Sequence, residues 1–155
     1  MSSVIRHNGR RPQPQLVIRH GSAISITALA YFPGGRRVVT GSNYGIVKIW
    51  NLENSQQEGR SMKHKDRTKV PVVSVTRDGT KIIGGDGKRS IKVWDAKLHE
   101  LVQEWIHNEG CHTVIAISPD DQLIATTDGS DVGVYTVQGR LVNIVVNRET
   151  IWSMA

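Results

Sequence analysis

Short apolar runs of five to seven residues recur along the chain, each closed by Gly, Asp, Asn or Pro. "ITALAYF" (26–32), "VPVVSVT" (70–76) and "TVIAIS" (113–118) run into the turns "PGG" (33–35), "RDG" (77–79) and "SPDD" (118–121). A second set follows each turn: "IVKIWN" (46–51), "IKVWD" (91–95) and "VGVYT" (132–136). The steps Gly35 to Trp50 and Gly79 to Trp94 are both fifteen residues, and Asp121 to Tyr135 is fourteen. Runs this short and this rich in Val and Ile predict strands, because branched side chains suit a pleated, half-buried surface. Four such strands per period, punctuated by turns, predict an all-β chain with almost no helix.

Aligned on the turn, Leu29, Val73 and Ile115 share a column, and Ala30, Ser74 and Ala116 share the next. "TIWSMA" (150–155) continues both, with Met154 and Ala155. A column of small residues predicts a crowded place where several copies of the strand converge. Self-similarity at a fixed period of this size marks a repeat architecture, whose units bury their cores against one another.

"FPGGRRVVTGSNYGIVKIWN" and "DGTKIIGGDGKRSIKVWD" resemble the WD40 repeat, with its early Gly-His and late Trp-Asp pairs, and the resemblance covers about residues 15–155. It implies a β-propeller of four-stranded antiparallel blades around a channel, with the small column on the innermost strand and the Trp-Asp pair ending the third. In that register "QLVIRH" (15–20) is an outermost strand without the rest of its blade. Three complete blades follow, ending near "RLVNIVVN" (140–147), and "TIWSMA" is a lone innermost strand, fourteen strands in all. Residues 15–155 are thus expected to form a partial propeller, and residues 1–14 a basic arm or a partial hairpin, since "SVIRH" (3–7) echoes "LVIRH" (16–20).

The resemblance also implies a hydrogen-bonded set of His, strand Ser or Thr, turn Asp and Trp in each blade. Repeat one offers His20, Thr40 and Trp50, with Tyr44 in the place of the Asp. Repeat two keeps His64 and Trp94, with Gly84 and Lys88 in the other two places. Repeat three has His107 and Thr126, with Tyr135 replacing the Trp. Strands and turns are therefore expected to carry the fold, with incomplete polar networks between them.

At 155 residues and 38% apolar content, the chain suits one domain with a sizeable core. It has no apolar run long enough to span a membrane and no apolar centre of a secretory signal in "MSSVIRHNGRR". The single cysteine, Cys111, rules out an intrachain disulfide, so an intracellular protein, cytoplasmic or nuclear, is expected. A net charge of +6 suits an acidic partner, although without a nucleic-acid motif protein partners are favoured over nucleic acid.

No catalytic constellation stands out, and no cofactor is called for. The segment "HNEGCH" (107–112) offers His107, Cys111 and His112 as metal ligands, but no second Cys/His cluster completes a zinc site. "GGDGKRS" (84–90) departs from a phosphate loop at Ile82 and Arg89 and is followed by a strand, so it reads as a hairpin turn. "KHKDRTK" (63–69) and "GKRS" (87–90) are expected to emerge on one face of the second blade, clustering Lys65, Arg67, Lys69, Lys88 and Arg89. Such a patch suits an acidic peptide or a phosphate, against the plainer reading of solvated loops. Three ring arrangements are open: a piece of a longer propeller, two copies closing head to tail into eight blades, or one chain closing alone as four. The expected function is a non-catalytic scaffold for protein–protein contact, self-assembly included. The alternative is a binder of acidic or phosphorylated partners, or of nucleic acid, through the basic face of blade two.

Overall fold

The computed structural model describes residues 17–18, 24–64, 67–106, 114–128 and 131–145, which hold twelve strands and no helix. The first sheet contains β1 (Ile26–Tyr31), β2 (Arg37–Ser42), β3 (Ile46–Asn51) and β4 (Gln56–Lys63). The second contains β5 (Val72–Val75), β6 (Lys81–Gly85), β7 (Ser90–Asp95) and β8 (Glu100–Ile106). The third contains β9 (Ile115–Ile117), β10 (Leu123–Asp128), β11 (Asp131–Thr136) and β12 (Leu141–Val145). Each is a four-stranded antiparallel meander in chain order, and β1, β5 and β9 lie side by side, so the first strand of each sheet is the innermost. These are three blades of a propeller.

The three sequence periods build one and the same turn between their first two strands. Phe32, Thr76 and Ser118 each donate their N–H to the carbonyl five residues on, at Arg37, Lys81 and Leu123. Inside the loop, Gly35, Gly79 and Asp121 donate back to Phe32, Thr76 and Ser118 from left-handed backbone, with φ of 69°, 71° and 57°. Gly is the usual residue there, and Asp is one of the few others that tolerates it. β5 begins only at Val72, beyond Pro71, which has no N–H for a ladder.

Strand alternation then sets two cores between the blades. Ala30, Val39 and Ile49 lie abreast on one face of the first sheet. They meet Val73, Ile82 and Trp94 of the second in a buried cluster. The opposite face of the second sheet, with Ile83, Ile91 and Val93, packs against Ile124, Val137 and Ile117 of the third. Full burial of each such side chain contributes roughly 1.5–3 kcal/mol. Polar clasps add to the seams: the Asp121 carboxylate accepts the Arg77 and Asp78 N–H groups at 2.8 and 3.1 Å. On the outer side Arg60 reaches Glu100 at 2.8 Å.

The two sequence columns therefore point opposite ways from the innermost strands. Leu29, Val73 and Ile115 face the preceding blade, while Ala30, Ser74 and Ala116 face the following one. Val73 is 6% exposed within its seam, whereas Leu29, at the first blade's open face, is 60% exposed. Tyr31 beside it is 63% exposed. At the other open face Ala116 is exposed and Val132 is 37% exposed. Of the expected strand at 15–20 only Val17 and Ile18 are among the described residues, and they lie in no described strand. The arm at 1–14 and the segment "TIWSMA" lie outside the described residues.

Candidate interaction site on the second blade

The β4–β5 connection (64–71) and the β6–β7 turn (86–89) emerge side by side, joined by the Gly87 N–H donating to the Lys69 carbonyl at 2.9 Å. Asp86 organises the turn. Its Oδ1 accepts the N–H groups of Lys88, Arg89 and Ser90 at 3.0, 2.7 and 2.7 Å, and its Oδ2 accepts the Ser90 hydroxyl at 2.9 Å. Burial works to raise this carboxyl's pKa, but the Ser90 and Arg89 N–H groups, the Ser90 hydroxyl and the Lys88 N–H outweigh it and hold it below the usual carboxylate value.

His64 sits behind Asp86 with its side chain 1% exposed and Nδ1 3.8 Å from Asp86 Oδ2, too far for a hydrogen bond. Its ring meets Trp94 edge-on, with centroids 5.2 Å apart. Neither ring nitrogen has a hydrogen-bond partner among the described residues. Burial, and then the Lys92 charge, push its pKa down to about 4 against the pull of Asp86 and Glu104, so the imidazole is neutral at pH 7. Lys92 is 3% exposed and pairs its Nζ with Glu104, its cross-strand neighbour on β8. A buried ammonium requires such a partner.

Around these groups lies a recess of about 350 Å³, lined by His64, Lys88, Arg89, Lys92, Glu104 and Ile106 together with Asp86. Lys88 and Arg89 are exposed at its mouth, and Ile106 is 73% exposed. Lys69 and Arg67 are exposed on the adjoining connection without lining the recess, and Arg67 takes left-handed backbone with φ 50°. Lys65 lies outside the described residues.

The second blade keeps the first blade's register at this turn, with Asp86 and Ser90 forty-four residues after Ser42 and Ile46. Lys88 therefore stands where Tyr44 does, and Asp86 accepts the Lys88 and Ser90 N–H groups as the Ser42 hydroxyl accepts those of Tyr44 and Ile46. Gly84 leaves room for the Trp94 ring, which would stand 3.0 Å from a Cβ there. In the first blade Thr40 accepts the Trp50 Nε1–H at 2.9 Å. In the third, Thr126 is buried, and Tyr135 stacks obliquely near Trp105 with centroids 6.4 Å apart. His20, His107, Cys111 and His112 lie outside the described residues. Sequence reading missed Asp86, Ser90, Lys92 and Glu104; the Asp-Gly dipeptide at 86–87 was the available signal for the first.

Comparison with known proteins places the fold. The family of the WD domain, G-beta repeat, matches residues 13–51. A curated relative, the periodic tryptophan protein 2 homolog of Dictyostelium discoideum, is 21% identical over 90% of this chain and 16% of its own. Cilia- and flagella-associated protein 52 of Chlamydomonas reinhardtii is 23% identical over 70% of this chain and 17% of its own. Among solved structures, the RRP9 WD40 repeats superpose with a TM-score of 0.75 at 17% identity, covering 83% of this chain and 41% of that one. The chain thus spans well under half the length of the proteins it is similar to. Such repeats serve in general as protein-interaction scaffolds.

Proposed function

For a chain built of WD40 repeats and folded as propeller blades, we propose a non-catalytic scaffold for protein–protein contact whose open blades are completed by a second copy. The observation that carries this reading is the exposure of a column that is buried elsewhere in the same chain. Val73 fills the seam against the Ala30 side of the first blade, and Ile115 the seam against the Ser74 side of the second. Leu29, their equivalent, is 60% exposed, and the small residue Ala116 at the far end is exposed too. The chain therefore presents both halves of a seam that it already makes twice. Large residues at one end and small ones at the other are complementary, and a direct head-to-tail contact that closes after two copies gives a ring of six of the described blades, two fewer than the eight expected with composite blades from 15–20 and 150–155.

Light scattering tests this on the full chain and on Leu29→Glu. The wild type is expected at twice 17.2 kDa, and the variant at the mass of one chain with its circular dichroism unchanged. A wild type that stays at one chain mass at concentrations up to about a millimolar overturns the second copy as the partner.

A further inference from the structure

Neighbouring blades also meet through the turns between their first two strands, and the two seams do so with different chemistry. The second residue of that turn is Pro33, Arg77 or Pro119, and its left-handed residue is Gly35, Gly79 or Asp121. At the first seam Pro33 lies against Gly79 of the following blade, where a built Cβ would stand 3.4 Å from Pro33 Cδ. At the second, the Arg77 and Asp78 N–H groups donate to the Asp121 carboxylate of the following blade. A proline, with no N–H to give, thus stands opposite a glycine, and an arginine opposite an acceptor. Two halves of a third such contact are left over: Pro119 on the third blade and Gly35 on the first. Both are exposed, whereas Gly79 and Asp121 are half-buried in their seams. No described atom lies within 4 Å of a Cβ built on Gly35.

We propose that Pro119 of one copy seats against Gly35 of the next, so that the third blade joins the first blade of a second copy directly, with no composite blade between them. The proposal rests on the second-copy reading and adds which turns meet and what matches them. The left-over halves fit as Pro33 and Gly79 do: Pro119 has no N–H for a carboxylate, and Gly35 brings no carboxylate. An acid at position 35 would find one N–H, that of Asp120, in place of two. It would also meet the Asp120 carboxylate without the Arg77 charge that accompanies Asp78 at the second seam. The turn itself tolerates such an acid, since Asp121 takes the same left-handed backbone at φ 57°. The residue at 35 therefore acts on the joint between copies, and supplying an arginine opposite an acid there recreates the second seam's match.

Analytical ultracentrifugation of the full chain over a dilution series tests this. The wild type is expected as a double-mass species. Gly35→Asp weakens that assembly about tenfold per joint, and so about a hundredfold for a ring closed by two, while its circular dichroism stays that of the wild type. Adding Pro119→Arg to Gly35→Asp brings the assembly back to within about tenfold of the wild type, a recovery that a damaged fold would not give. A Gly35→Asp variant that assembles like the wild type overturns the proposal, and so does a double variant no tighter than Gly35→Asp alone. Either result leaves the second copy standing, joined in some other way. A wild type that stays at single mass overturns the second-copy reading itself, and this joint with it.

Discussion

Replacing Asp86 by Ala removes the acceptor for four donors at once: the N–H groups of Lys88, Arg89 and Ser90, and the Ser90 hydroxyl. The residue is 8% exposed, so water replaces only part of what is lost. Hydrogen bonds to a charged group contribute roughly 1.5–3 kcal/mol each when taken singly, but bonds to one carboxylate are not additive. The Asp86→Ala loss is therefore set at about 3 kcal/mol, which is a large part of the stability of an ordinary domain. Asp86→Asn keeps an oxygen for the three N–H groups and turns an amide towards the Ser90 hydroxyl, which can accept, so about 1 kcal/mol is expected. Lys88→Ala, at the place where counting back from Trp94 puts the acid, should change stability by less than about 0.5 kcal/mol. Urea unfolding followed by tryptophan fluorescence reads all three. The reasoning fails if Asp86→Ala loses less than about 1 kcal/mol, or if Lys88→Ala loses as much.

Two further outcomes follow from other seams. Gly59 sits at φ 65° with a built Cβ 2.4 Å from His99 Nε2, so Gly59→Ala should destabilise by at least about 1 kcal/mol in the same urea assay, whereas Gln57→Ala on the same strand should not. His64 has its pKa lowered from 6.5 to about 4, so between those values the unfolded chain binds the proton and the folded one does not. Stability should fall as the pH is lowered through this window by up to about 3 kcal/mol, and urea midpoints of His64→Gln should lack that part of the slope.

The strands and the turns were legible because each repeats. Gly35, Gly79 and Asp121 stand fifteen, fifteen and fourteen residues before the aromatic of the third strand, and the structure gives all three the same left-handed turn. The Leu29 and Ala30 columns were legible as well, although sequence alone gave only their crowding and not their opposite directions. The polar network of the second blade was not, because its acceptor is Asp86, eight residues before Trp94 where the first blade has Ser42, and not a residue at the expected acid position of Lys88. The Ser90 hydroxyl adds a fourth donor to Asp86 from the position that Ile46 holds in the first blade. Clasps such as Arg60–Glu100 and Asp121 with Arg77 join residues 40 and 44 apart. Their side chains are ordinary surface polar groups with no pattern that marks a partner. The pairing of Lys92 with Glu104 depends on the register of β7 against β8, which the loop between them decides.

Completion of the blades by a second copy is tested most directly by an isotope-filtered NOE experiment on an equal mixture of carbon-13-labelled and unlabelled full chain. Cross-peaks between the Leu29 methyls of one copy and the Ala116 methyl of the other are the predicted result. A sample of double mass that shows no such contact, or contacts only through the outer strands, would contradict it.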